Sequence, residues 1–385
     1  MGESNRLKLG FIVESDWGVT PAEPRQLIHV TSESLQAESE DKESQTIKDD
    51  RNIYDVARVR EGGSGSVDFE LIYGNMDKIF EAALANTFSS VITLTSSTIS
   101  IDASDNSLNQ VGGFSSVSVA VDQFMKIVVA NGANVGTHFV KIVSQTDDKI
   151  IVSGVSFSDQ AVGTEIIISS GGMLRSGTTK KSFTIEKEYA DINQCFNYPG
   201  ARIASLNLNF NEGDIITGSF SIMAKQENNT TSSVGSGADT EAPSNKTITA
   251  SDDLKMTLED GTESNETYVS FALSADNGLR VKRGTSSRYA TGINYGTFRV
   301  TGNSSIYFEN ASLYTKFKNQ VRLEIANIVQ DRDGNAYVFS MHTVAIKNPK
   351  IAAGGLDSDV MCESELQAIS GSKSYVLQID RFPVS

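Results

Sequence analysis

"KKSFTIEKEYADINQCFNYPGARIASLNLNFNEGDIITGSFSIMAK" runs from Lys180 to Lys225. Phe183 and Ile185, then Leu206 and Leu208, then Phe220 and Ile222 alternate with Thr, Glu, Asn and Ser. A period of two marks a strand that buries one face and wets the other. The stretch therefore predicts three strands separated by short turns. Their polar sides carry Thr184, Glu186 and Glu188, then Ser205, Asn207 and Asn209, then Thr217, Ser219 and Ser221. No residue among them has the character of a catalytic group.

The same grammar extends outward. In "GSVDFELIYG" (65–74) Val67, Phe69 and Leu71 alternate with Asp68 and Glu70, and "NMDKIFEAALA" follows. Asn75 is placed to cap a short helix whose Met76, Ile79, Phe80, Ala83 and Leu84 share one face. Upstream, "SESLQAESEDKESQTIKDDRN" (32–52) has no period and predicts an extended arm. Between about 96 and 170 the texture changes to short β-branched runs such as "KIIVSGV" and "TEIIIS". These predict a small β-barrel of about five strands inserted into a larger unit. Residues 226–251 are polar and free of aromatics, which predicts a long loop. Further strands follow, the last two flanking "DRDGN", where Asp333-Gly334 marks a hairpin. "NASLYTKFKNQ" predicts a second helix capped by Asn310, with Leu313, Tyr314 and Phe317 on one face. There is an internal echo: "GSVDFELIYGNMDKIFEAAL" and "GTFRVTGNSSIYFENASLYTKFKN" both read glycine, alternating strand, Asn, short helix, as a duplication would.

Composition narrows the function. The chain has 385 residues, enough for two or three domains, with 31 Gly, 6 Pro and a net charge of −15. Such a charge opposes a polyanion, and the basic run "RVKRGTSSR" (280–288) reads as a solvated loop or a subunit contact. Cys195 and Cys362 are too few for a disulfide framework and read as buried or free thiols. No apolar run approaches the ~20 residues of a membrane span, and Leu9–Val13 is too short for a signal peptide. "MGESNR" lacks the Ser or Thr that myristoylation wants.

Chemistry is sparse. His29, His138 and His342 are isolated and read as structural. The glycines of "EGGSGSV" (61–67) precede a strand instead of a helix, so they form no phosphate loop. "DRDGN" has its Gly too early for a calcium loop. The reading is of a protein with no catalytic residues, no metal and no cofactor. A β-rich adhesin module recognising a cell-surface glycan is the alternative from another class. It would want an export signal and clustered exposed aromatics, and Trp17 is the sole tryptophan.

Residues 174–225 resemble the tail tube proteins of long-tailed phages, through "SGTTKKSFTIEKEYAD", "YPGARIASLNLNF" and "ITGSFSIMAK". "RLKLGFIVESDWGVTPAEP", "GSVDFELIYGNMDKIFEAALA" and "GTFRVTGNSSIYFENASLYTKFKNQ" extend the resemblance over nearly the whole chain. It implies a mainly β fold, a β-sandwich or half-barrel with short flanking helices. The tube domain would comprise residues 1–95 and 173–385, with the loop 226–250 in its second part and an outward-facing insert at 96–172. It also implies homohexameric rings stacked head to tail into a virion tube assembled in the host cytoplasm. Partners would be the tape measure, terminator and tip proteins, with DNA passing through the lumen without specific binding and no membrane contact. On that reading Asp68, Glu70, Thr184, Glu186, Glu188, Asn207, Asn209, Ser219 and Ser221 face the lumen. Trp17, Arg332 and Asp333 are the candidate assembly contacts.

Overall fold

A computed structural model describes residues 6–250, 255–258 and 267–384. All of "MGESNR" but Arg6, and Ser251 at the end of the polar loop, lie outside the described residues. The fold is mainly β, with strands in antiparallel sheets and two short helices.

The first stretch contains β1 (Leu7–Val13), β2 (Gln26–Ile28), β3 (Ser32–Glu33), β4 (Gln36–Glu43), β5 (Val56–Glu70) and α1 (Asp77–Ala83). Where the sequence suggests an unstructured arm, β4 pairs with β5 from Gln36↔Ser64 to Glu43↔Val56 as a projecting hairpin. Its charged side chains leave no apolar alternation to read. Backbone pairing and the ion pairs Glu40–Arg60 (2.6 Å) and Asp41–Arg58 (3.0 Å) hold it instead. Asn75 is not the helix cap. Its side chain accepts the His29 N–H at 3.0 Å and donates to the His29 carbonyl at 2.9 Å, and the cap position falls to Met76 with no side-chain bond. The buried face of α1 includes Ile79 and Phe80, as its periodicity requires.

The insert contains β6 (Ile92–Ser96), β7 (Ser100–Asp102), β8 (Ser107–Asn109), β9 (Phe124–Val129), β10 (Gly136–Gln145), β11 (Lys149–Ser153) and β12 (Ile166–Ser170). They form one seven-stranded sheet, in the order β6-β12-β9-β10-β11-β8-β7, around a core of its own that includes Ile127, Val140, Ile142 and Ile150. The sheet does not close, so the expected small barrel is instead an open sheet. The two extra strands, β7 and β8, are three residues each, too short for alternation to register.

After the insert come β13 (Gly172–Arg175), β14 (Phe183–Tyr189), β15 (Gln194–Asn211), β16 (Thr217–Ala224) and β17 (Asn228–Thr230). The final stretch holds β18 (Lys255–Leu258), β19 (Tyr268–Asp276), β20 (Arg280–Lys282), β21 (Gly292–Asn294), β22 (Arg299–Tyr307), α2 (Ser312–Lys318), β23 (Leu323–Gln330), β24 (Ala336–Ala353), β25 (Val360–Ala368) and β26 (Gln378–Phe382). The Asp333-Gly334 hairpin is present between β23 and β24. Asn310 accepts the Ser312 N–H at 2.7 Å, one residue before the cap position.

β15 and β24 organise the body. Residues 194–201 of β15 pair with β14 and β17, and residues 202–211 pair with β16 and β19. Residues 336–344 of β24 pair with β23 and β26, and residues 344–353 with β25. One continuous sheet results, β4-β5-β16-β15-β19-β22-β25-β24. Its apolar face meets α1 and β24 through tilted and edge-to-face rings, with Phe210 5.9 Å from Phe271 and 6.0 Å from Phe339, itself 6.0 Å from Phe80. Each such pair adds about 1 kcal/mol beyond area burial.

The insert docks on the body through Phe124 and Phe139, packed on Ala326, Ile328, Ala336, Val338 and Phe382. Beside them Lys141 and His342 bond Glu324, the imidazole at 3.1 Å. Burial opposes ionisation of Glu324, but these partners hold its carboxyl below the usual range. Among the described residues Asp380 forms no ion pair there, and Arg175 acts on it only as a minor Coulombic influence. Burial pushes its carboxyl up to about 8, against the opposing bonds from Gln378 and the Phe124 N–H. The folded protein thus keeps a proton that the unfolded chain loses near 3.8. The stability this site contributes is full below about 3.8, falls as pH rises from there, and is lost above about 8. We expect Asp380→Asn to melt above the parent at about pH 9, with an advantage that shrinks steadily as pH falls toward about 4, as read by thermal denaturation across pH.

Candidate functional site

Antiparallel partners directly opposite one another share a face. Following the register across the continuous sheet gives the row Asp68, Ser219, Asn207, Ser274, Thr301, Gln367. The next row reads Glu70, Thr217, Asn209, Ala272, Asn303, Glu365, Lys347. Between these side chains, on the reverse, lie Val67, Phe69, Leu206, Leu208, Phe220 and Leu273, all buried. The polar rows knit to one another. Ser205 and Ser221 hydroxyls meet at 2.6 Å, and Asn207 Nδ2 donates to Ser219 Oγ at 3.2 Å. Hydroxyls and amides that satisfy each other offer few free donors to a passing ligand.

The six positions Asp68, Glu70, Asn207, Asn209, Ser219 and Ser221 therefore share one face. Asp68 and Asn209 are exposed and the others half-buried. From Asp68 to Ser274 the central row carries no Lys or Arg. Cations enter toward the two ends of the face, at Arg60 beside β4 and, on the far side, at Arg299, Lys347 and Lys350. There the face hollows into a concavity of about 440 Å³ lined by Asn211, Ser270, Asn303, Ser305, Lys350 and Glu363.

Thr184 and Glu186 do not belong to this face. Both are fully buried. β14 pairs with the part of β15 that precedes its change of partner, and the 226–250 segment lies over it. Glu186 accepts from Arg25 at 2.7 Å, Ser233 at 2.6 Å and the Val234 N–H at 2.8 Å. Thr184 bonds Glu14 at 2.9 Å and Thr20 at 2.8 Å. Glu188, 22% exposed, bonds the same guanidinium at 2.5 Å, and Asp239 bonds it at 2.7 Å. Arg25 is itself 2% exposed, a cation surrounded by three carboxylates. Its surroundings raise its affinity for its proton even against desolvation, so it stays charged.

The contact candidates sit elsewhere. Trp17 donates to the Gly200 carbonyl at 3.0 Å, its ring flanked by Lys225 at 5.8 Å and Arg202 at 6.0 Å. Gly200 has φ +70, and a Cβ there would meet the indole at 3.1 Å, so glycine suits both the turn and the packing. Arg332 and Asp333 are exposed at the β23–β24 hairpin tip. The basic 280–288 run folds onto the base of β5, where Arg288 meets Glu61 at 3.2 Å. Cys195 and Cys362 are buried and form no disulfide. Among the described residues no three His, Cys, Asp or Glu side chains converge on a metal site.

Against this geometry, the phage tail tube protein family matches residues 4–371. The chain belongs to that family. No curated protein matches it. A tail tube protein is a structural component of the phage tail, and a satisfied polar sheet suits that role. Among the described residues no helix is long and apolar enough to cross a membrane.

The Arg25 cluster is the buried charged tie between the 226–250 segment and this tail tube fold, alongside backbone bonds such as Leu27 N–H to Thr240 and Ile248 N–H to Leu71. Removing one partner of a buried ion pair leaves an uncompensated charge and costs about 3–5 kcal/mol. Arg25→Ala should lower stability by that order in urea denaturation, and limited proteolysis should cut within 226–250 faster in the variant than in the parent.

Proposed function

We propose that this tail tube chain self-assembles into closed rings, stacked head to tail, whose continuous sheets join around a bore. The polar face made by Asp68, Glu70, Asn207, Asn209, Ser219 and Ser221 lines that bore. The observation that carries this reading is the register itself: hydroxyl, amide and carboxylate rows run across the sheet and its centre is free of cations. Phosphates passing such a wall meet like charge or neutral groups, and the bases meet side chains already bonded to each other. Within the ~8 Å reach of charge at physiological salt, acidic groups keep the duplex off the wall. The wall conducts DNA because it binds none of it.

The tube domain comprises 1–95 and 173–385, with 96–172 as an outward-facing insert. Its docking on β23, β26 and the first part of β24, away from the polar rows, supports that direction. Exposed Arg332 and Asp333, with the region of Trp17, are suited to contacts between neighbouring subunits. Tape measure, terminator and tip proteins are the other partners, and the finished tube resides in the virion after assembly in the host cytoplasm.

Electron microscopy of the purified chain tests assembly directly: hollow tubes are expected, and a monomer at high concentration contradicts the reading. The bore is tested by Asp68→Lys combined with Asn207→Lys. Tubes should form as before, while DNA release slows by about an order of magnitude at low salt and recovers as salt rises. Release indifferent to both substitutions and salt would place this face outside the bore.

A further inference from the structure

The chain contains one folding unit twice. In the first half β1 pairs with β14, β14 with β15, β15 with β16, β16 with β5 and β5 with β4. In the second half β18 pairs with β23, β23 with β24, β24 with β25, β25 with β22 and β22 with β19. β17 returns to the first part of β15 as β26 returns to the first part of β24. The sequence order of these strands is the same in both sets, and α1 follows β5 as α2 follows β22. β15 and β24 are both 18 residues long. Each breaks register against the strand before it, at Phe183/Ile185 and Leu323/Ile325, and against the strand after it, at Ile203/Ser205 and Lys347/Lys350. The echo between residues 65–84 and 296–319 is the part of this duplication that the sequence still shows.

The halves are joined within the chain by an antiparallel ladder from Ser205↔Asp276 to Asn211↔Ser270, between β15 and β19. The counterpart of β15 is β24, and the counterpart of β19 is β4. The edge of β24 equivalent to the one that β19 covers on β15 has no described strand along residues 345–353. Among the described residues β4 likewise pairs with β5 alone. Open edges of this kind offer free backbone donors and acceptors to another chain.

We infer that the second part of β24 in one protomer takes β4 of the next, antiparallel, as β15 takes β19 inside the chain. Each chain then fills two adjacent places in its ring. This rests on the tube reading proposed above. In the six-place ring implied by the family resemblance, three chains close the circle where a single-unit subunit would need six.

The facing edges match in charge. Lys347 and Lys350 on β24 are exposed on the polar face, opposite Glu365 and Glu363 of β25. On β4, Glu38 and Glu40 lie opposite Gly62 and Arg60, on the side that continues Ser64, Ser66 and Asp68. Joined, lysines and glutamates share one surface, where opposite charges across strands attract.

Two measurements test the pairing. Cryo-electron microscopy with native mass spectrometry of tubes from the unaltered chain should show three chains per ring and three insert protrusions, since the insert occupies only the first half. Six chains with six protrusions would overturn the inference and leave the tube reading intact; failure of the chain to form any ring would overturn both. Separately, K347E with K350E, and E38K with E40K, should each reduce sedimentable tubes at least tenfold while the monomer melts as the parent does. All four substitutions in one chain should restore tubes. Undiminished assembly of either double variant, or no recovery in the quadruple one, would overturn the edge assignment.

Discussion

A strand edge exposed along its length leaves backbone N–H and C=O groups with only water to bond. That constraint governs this molecule more than any single side chain. A sheet that must present one wet polar face cannot curl its edges into its own core. It ends in open ladders at β4 and β24. Everything else serves to hold the curved sheet in shape. Apolar rings back its reverse side, the helices cover that core, and β15 and β24 each bind two different pairs of neighbours along one continuous strand. The side-chain chemistry on the wet face is quiet by comparison, its hydroxyls and amides bonded to one another.

How much of this the sequence discloses depends on the local contrast between apolar and polar positions. The second parts of β15 and β5, and all of β16, alternate strictly, and their faces are legible to the residue. β4 is charged at most positions, so the hairpin it forms is invisible to any periodicity and stands on backbone pairing and cross-strand ion pairs. Glu186 reads as solvent-facing because acids on strands usually are. Alternation assigns a side, however, and does not say what covers that side. The covering segment is brought by Arg25, whose partners Glu186 and Asp239 lie 161 and 214 residues away. No local pattern carries that information. Asn75 shows the same limit on a smaller scale: a good capping residue is recruited instead by a distant backbone, that of His29.

Buried charge is used in two different ways. Around Arg25, and between Lys141 and Glu324, opposite charges meet where loops or the insert join the body. Such pairs contribute little net stability, but they penalise every misplaced alternative, because a separated partner would be left ionised and dry. Asp380 solves the same problem by giving up its charge. The joints of the molecule are thus positioned by polar groups, while its cohesion comes from aromatic and aliphatic packing.

The insert lies between α1 and β13, whereas the corresponding link from α2 to β23 runs only from Asn319 to Arg322. A ring of identical single units must repeat any appendage at every position, so its bulk is limited by the spacing of its neighbours. A fused pair has two inequivalent positions. One can carry an extra globule and the other stay bare, which leaves an empty berth beside each appendage. The outer surface gains room for large, independently varying modules, while the inner wall keeps the finer periodicity of the original unit.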